Sequence, residues 1–311
     1  MSDPAGSVVL MLVLREDDLR LPDGRTLHYY DTAPAEGAAA AREPRLAVLW
    51  SHGSPNIGEP PAPLFAAAER LGVRLIGYDR PGYGPSTRVP GRSVGSAAAD
   101  MAAVADALDI GTFALFGHSG GGPHVLACAA LLPERISAVV SMSGLAPYAS
   151  AATGFDFFAG MSASGKAELG AAVKGREALE KELEAGEFDP EVFTPADHQA
   201  FEGEWGWIAR IAGRALEGGL AGMVDDDMAG VSPWGAELDA VKARTLIVHG
   251  EEDRMVPAAH ARWLAAHVPA AELRVTPGDG HISVLRSSAI PALEWLVGAD
   301  AGADTDTGAA S

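Results

Sequence analysis

The chain has 311 residues, of which 48% are hydrophobic, enough to bury a sizeable core in one large domain or in one domain with an insertion. Its 42 acidic residues against 23 basic ones leave a formal charge of −19; such a surface repels phosphate backbones and anionic lipid, so neither nucleic acid nor a membrane surface is an expected partner. Cys128 is the single cysteine, which excludes a disulfide framework and a thiolate metal cluster.

Met1–Ser7 carries an aspartate and no lysine or arginine, unlike a secretory signal. Val8–Leu14 is too short to span a bilayer and reads as an early strand, so a cytoplasmic location is expected. Asp17–Leu21 and Arg25–Tyr30, joined by Pro22-Asp23-Gly24, form a hairpin pattern. Ala33–Arg42 reads as a surface loop. Leu46–Trp50 is an apolar strand running into Ser51-His52-Gly53-Ser54-Pro55-Asn56. Val73–Tyr78 is another, ending in Asp79-Arg80-Pro81-Gly82-Tyr83-Gly84, turn chemistry with two readings: a functional loop near the site at the carboxyl end of the sheet, or a turn whose Asp79 and Arg80 brace neighbouring loops, the second being favoured. A helix over Ser96–Leu108, a strand over Phe113–Phe116 and a strand over Ile136–Met142 follow.

From about Tyr148 to Gly235 the pattern changes to helical, acidic sequence with a cluster of aromatics. A long strandless stretch interrupting a βα series reads as an inserted helical cap, whose aromatics either line an apolar pocket or, as the favoured reading for any single one, pack the cap's small core. Strands resume at Thr245–Val248 and Glu272–Thr276, with a helix over Ala258–Ala266 between them and a closing helix over Ile290–Val297. The expected organisation is a core of residues 1–147 and 236–297, a cap of residues 148–235, and a disordered tail over 298–311.

The chemistry centres on Gly117-His118-Ser119-Gly120-Gly121. A serine at the tip of a sharp strand-to-helix turn needs small neighbours on both sides, and it faces the positive end of the helix that Pro123 opens. Its hydroxyl becomes a nucleophile only with a base, and the base only with an acid to hold it. Asp253 follows one late strand and His281 the next, in the chain order serine, acid, histidine. Glu251, Glu252 and Asp279 are rival carboxylates that fit the loop position less well. His118 and His124 sit on the turn and its helix, and His260 and His267 lie on a helix. The backbone N–H groups of Gly120 and Ser54 suit an oxyanion hole. His52 has two open readings, a direct role at the site or a brace for its loop. No metal motif is present and no cofactor is implied.

With these residues in hand the chain resembles the α/β-hydrolase superfamily in its capped form. The resemblance rests on His52-Gly53-Ser54-Pro55, Asp79-Arg80-Pro81-Gly82-Tyr83-Gly84, Gly117–Gly121 and the Asp253/His281 pair, and spans roughly Asp17 to Val297. It implies an eight-stranded, mostly parallel sheet with helices on both faces and a helical lid over Ser119. Haloalkane dehalogenases and epoxide hydrolases carry aspartate at the elbow, where this chain has Ser119. Prolyl aminopeptidases carry His-Gly-Gly-Pro-Gly and Gly-Gly-Ser-Trp-Gly, from which Ser54, Asn56 and Gly120 depart. The expectation is a serine hydrolase acting through an acyl-enzyme on a small, partly apolar ester, thioester or lactone. Three alternatives are an aminopeptidase whose Asp225-Asp226-Asp227 holds a substrate amine, a non-catalytic binding protein of the same fold, and the same triad used for lyase or perhydrolase chemistry. The substrate is the one partner implied; a homo-oligomer is left open.

Overall fold

The computed structural model describes residues 12–32, 44–148, 154–186 and 189–306. The opening hairpin forms from Arg15–Arg20 (β1) and Thr26–Asp31 (β2), which pair antiparallel. Leu46–Ser51 (β3), Val73–Tyr78 (β4), Phe113–His118 (β5), Ile136–Met142 (β6), Arg244–Gly250 (β7) and Glu272–Thr276 (β8) complete one eight-stranded sheet in the order β1-β2-β4-β3-β5-β6-β7-β8. β2 meets β4 antiparallel, and every pairing from β4 across to β8 is parallel. The expected mixed sheet, mostly parallel, is what the chain builds.

The first crossovers carry Phe65–Leu71 (α1), Ala97–Ala107 (α2) and Gly121–Leu131 (α3). α1 gives no clear signal in the sequence because its seven residues include three consecutive alanines and no apolar stripe. Between β6 and β7 the described residues form Ala163–Lys174 (α4), Arg176–Ala185 (α5), Pro195–Glu202 (α6), Trp207–Leu216 (α7) and Ala221–Gly230 (α8), with no strand among them. Ala259–His267 (α9) and Ser283–Asp306 (α10) finish the chain.

Every residue of β5 is buried, which is why Phe113–Phe116 reads as a continuous apolar run: both faces of a parallel strand are covered. Strand alternation sorts neighbours to opposite sides. Trp50 and Phe116 join the cluster built with α10, through Leu285, Leu293 and Leu296. Leu49 and Leu115 join the cluster built with α2, α3 and α9, through Met101, Leu126 and Leu264. Each of these large side chains contributes roughly 1.5–3 kcal/mol by burial.

Two expectations at the chain ends are corrected. The closing helix starts at Ser283, directly after His281, and continues past Val297 to Asp306, so 298–306 is helix rather than tail. Leu285, Ala289, Ala292, Leu293, Leu296 and Ala299 form one buried face, and Ala-rich sequence is helix-favouring once such a face has something to pack on. Residues 307–311 lie outside the described part. The early strand expected over Val8–Leu14 lies partly outside the described residues, and Leu12–Leu14 has no regular structure; the first strand begins at Arg15. The loop expected at Ala33–Arg42 is also outside them.

Candidate active site

β5 ends and α3 begins within three residues, and Ser119 is the residue that turns the corner, with φ of +52°. A side-chain-bearing residue in the left-handed region carries strain of order 1–3 kcal/mol, held by its surroundings. Here the Ser119 N–H donates to the Met142 carbonyl at 2.9 Å. The turn lies hard against β3: a Cβ on Gly121 would stand 2.0 Å from the Ser51 carbonyl oxygen, so glycine is required there by contact alone.

The three residues picked from the sequence meet at this corner. Ser119 Oγ stands 2.9 Å from His281 Nε2, and His281 Nδ1 stands 2.7 Å from Asp253 Oδ2. Asp253 Oδ1 accepts from the N–H groups of Met255 and Val256 at 2.9 and 2.8 Å, which fixes the carboxylate. With Nδ1–H donated to Asp253, the Nε2 lone pair faces the serine hydroxyl, the tautomer a general base needs. Burial opposes the charge on Asp253, but His281 beside it and a bond from His249 hold its carboxyl well below the ordinary range. Burial likewise lowers His281, yet the Asp253 carboxylate and, less strongly, Asp197 outweigh it and raise the imidazole above its usual value.

Parallel pairing of β3 with β5, with Ser51 opposite Gly117, carries the His52-Gly53-Ser54 loop to the serine. A Cβ on Gly120 would lie 3.3 Å from the Ser54 nitrogen and 2.5 Å from its Oγ, so the two N–H-bearing residues adjoin. His52 is a brace: its Nδ1 bonds the Gly53 carbonyl at 2.7 Å and its Nε2 accepts from the Arg80 N–H at 3.1 Å. Arg80 braces too, donating to the carbonyls of His52 and, at 2.9 Å, of Gly53. Asp79 accepts from the Gly58 N–H at 2.6 Å, and burial pushes its carboxyl to about 6.

The rival candidates are employed elsewhere. Glu251 and Glu252 are exposed, and Asp279 accepts from Ser287 at 2.6 Å. His118 Nε2 bonds the His281 carbonyl, His124 Nδ1 bonds the Gly120 carbonyl, His260 bridges Ala146 and Phe157, and His267 stacks on Trp263. Cys128 is buried, its thiol pushed up to about 12 by desolvation. Among the described residues no group of three or more His, Cys, Asp or Glu is placed to hold a metal ion, and no helix is long and apolar enough to cross a membrane.

The acidic run of α8 is not open to an amine. Asp225 is bound by Arg88 at 2.7 Å and by Arg176, and Asp226 by Arg80 at 2.6 Å and by Arg92. Asp227 is buried beside Glu168, and desolvation together with that neighbour pushes its carboxyl well above the ordinary value. Two carboxylates near the site have partners that the sequence does not reveal: Asp197, which it does not mark, and Asp226, which it offers only as part of an amine-holding run. Asp197 and Asp226 touch the loops of His281 and Ser54. The Thr194-X-X-Asp197 capping box was a visible signal for α6, although nothing local marks what else Asp197 bonds.

Comparison with known proteins bears on the family and the fold. Residues 47–162 match the family model described as the alpha/beta hydrolase fold. The 2-hydroxy-6-oxo-6-phenylhexa-2,4-dienoate hydrolase of Burkholderia cepacia is 32% identical over 241 residues, 75% of this chain and 76% of the relative. A 2-hydroxy-6-oxononadienedioate/2-hydroxy-6-oxononatrienedioate hydrolase of Comamonas testosteroni is 30% identical over 240 residues, 75% of this chain and 76% of the relative. Among solved structures, a bromoperoxidase from Bacillus anthracis superposes with TM-score 0.68 at 20% identity, covering 91% of this chain and 99% of its own. The enol-lactonase from Burkholderia xenovorans LB400 superposes with TM-score 0.64 at 22% identity, covering 90% and 99%. The chain belongs to the α/β-hydrolase family.

Proposed function

We propose that the protein is a serine hydrolase working by acyl transfer, and the observation that carries the reading is the continuous relay from Ser119 Oγ through His281 to Asp253, with contacts of 2.9 and 2.7 Å. Ser119 attacks a substrate carbonyl as His281 Nε2 takes the hydroxyl proton, and Asp253 compensates the imidazolium. The N–H groups of Ser54 and Gly120 receive the oxyanion, each such donor being worth about 3 kcal/mol in the transition state. His281 returns the proton to the leaving group, then activates the water that releases the acid and restores Ser119. The chemistry requires no cofactor.

The substrate proposed is a small, partly apolar ester, thioester or lactone, handled in the cytoplasm beneath the inserted helices acting as a cap over residues 148–235. Ser119 is only 8% exposed, which supports a covered site. The curated relatives favour a second class: their names describe 2-hydroxy-6-oxo acids, whose 6-oxo carbonyl the same oxyanion donors would serve. Initial rates on p-nitrophenyl acyl esters, γ- and δ-lactones, a 2-hydroxy-6-oxo-dienoate and proline anilides separate these readings. Turnover of esters or lactones at the highest kcat/KM supports the first class and turnover of the dienoate the second. Turnover of the anilides alone would show an aminopeptidase instead.

A further inference from the structure

Two buried carboxylates of the inserted helices each grip one of the loops that present the reacting groups. Asp226, on α8, is 6% exposed. Its Oδ2 accepts from the Ser54 hydroxyl at 2.5 Å, Arg80 Nη2 at 2.6 Å and the Tyr83 hydroxyl at 2.9 Å. Its Oδ1 accepts from Arg80 Nε at 3.3 Å and from Arg92. His124 Nε2 lies 4.0 Å from the same oxygen, while His124 Nδ1 bonds the Gly120 carbonyl at 2.7 Å. Asp226 therefore stands directly behind one of the two residues assigned to the oxyanion hole, Ser54, through its hydroxyl. Two guanidiniums against one carboxylate leave this cluster net positive, the sign that favours an oxyanion beside it.

Asp197, on α6, is fully buried. Its Oδ1 accepts from the N–H groups of Ile282 and Ser283 at 2.8 and 2.7 Å and from the Ser283 hydroxyl at 2.8 Å. These are the two peptide groups that follow His281, at the point where α10 begins. Its Oδ2 accepts from the Thr194 N–H and hydroxyl at 2.9 and 3.0 Å, so the carboxylate is satisfied on both oxygens. The insertion is also anchored elsewhere on the core, through Arg210 and Arg214 on Glu59 and Asp225 on Arg88. The Asp226 and Asp197 contacts differ in falling on Ser54 itself and on the residues next to His281.

We propose that the inserted helices are a working part of the catalytic apparatus, with Asp226 positioning the oxyanion loop and Asp197 positioning the histidine loop. The inference rests on the serine-hydrolase reading above. Neither carboxylate is placed to touch the reacting atoms; both act through the groups they hold. A displacement of about 1 Å in such groups lowers rates by up to a hundredfold.

The test uses the full chain and the variants Ser54→Ala, Asp226→Asn and Asp197→Asn. Kinetics on a p-nitrophenyl ester are paired with inhibition by an aryl trifluoromethyl ketone. Ser119 oxygen adds to that carbonyl, His281 takes the proton, and the resulting alkoxide reads the oxyanion hole. Each variant is expected to lower kcat about ten- to hundredfold with KM little changed, to weaken ketone binding by a similar factor, and to keep a cooperative melt. Asp226→Asn strips the charge partner from two buried guanidiniums, and if it fails to fold, Ser54→Ala removes the same link while leaving the carboxylate against both of them, at the loss of the 3.1 Å bond from Arg80 Nη2 to Ser54 Oγ. A folded Ser54→Ala or Asp197→Asn with wild-type kcat and ketone affinity overturns the proposal, as does a rise in KM alone. Those outcomes leave the hydrolase reading standing, because the wild-type enzyme is active in the same assay. A wild-type chain that neither turns over ester nor binds the ketone removes both.

Discussion

His281 Nδ1 meets Asp253 Oδ2 at 2.7 Å in a site where the two side chains are 2% and 5% exposed as residues. In that setting the pair sets the protonation of the base. The imidazole is raised above its ordinary value because Asp253, helped by Asp197, outweighs the burial that would lower it. His118, packed with its ring centroid 5.0 Å away, is held neutral, near 3, by burial.

The acid limb of kcat/KM is therefore expected above the ordinary histidine value of about 6.5, since the base works only when Nε2 is free. A pH–rate profile with an acid limb at or below that value would contradict the arrangement. The stability linkage has the opposite sense. A raised histidine contributes stability that is full below its unfolded value and fades as pH rises through the folded one. Asp253, held low, contributes above its unfolded value of about 3.9 and loses that contribution only in strong acid.

Asp253→Asn keeps the shape of the site but allows the imidazole to present the wrong tautomer to Ser119. kcat is expected to fall by about four orders of magnitude while the fold survives. Ser119→Ala and His281→Ala should fall as far, and the double variant no further than either single one, because the residues act as a unit. Single-turnover kinetics on an activated ester check this; a single variant retaining a tenth of the activity would sink the assignment.

Gly121→Ala tests the elbow without touching its chemistry. The added methyl would stand 2.0 Å from the Ser51 carbonyl oxygen, and neither β3 nor β5 is free to give way. A loss of about 3 kcal/mol or more is expected from the denaturation midpoint, or failure to accumulate folded protein.

Phe116→Ala probes the buried strand that carries the elbow. The ring is 1% exposed and packs edge-on to Trp50 with centroids 5.4 Å apart. Truncation is expected to destabilise by about 3–5 kcal/mol in a chemical denaturation series. A change under about 1 kcal/mol would mean that the strand is not packed as described.

Much of this was legible because the informative features are local. Largely apolar runs mark β3 to β7, and Ser119, Asp253 and His281 each follow a predicted strand within a few residues. Glycine-rich turns flagged where backbones approach. What stayed hidden depends on packing between distant segments. Asp226 bonds Arg80 across 146 residues, and Asp197 bonds Ile282 across 85. The run Asp225-Asp226-Asp227 was visible as an acidic patch, but which carboxylate faces the core is decided by the phase of α8, fixed only on docking. α10 runs longer than its sequence pattern predicts for a related reason. An Ala-rich end is compatible with tail or helix, and the buried face from Leu285 to Ala299 chooses helix only when the sheet is beneath it.

The central claim is that Ser119 is the nucleophile activated by His281, and active-site labelling tests it most directly. The full chain is incubated with a fluorophosphonate at neutral pH, and the adduct is located by intact-mass and peptide mass spectrometry. One adduct on Ser119 is expected, absent in Ser119→Ala and slowed by at least about a thousandfold in His281→Ala. An unlabelled wild-type chain, or an adduct at any residue other than Ser119, would contradict it.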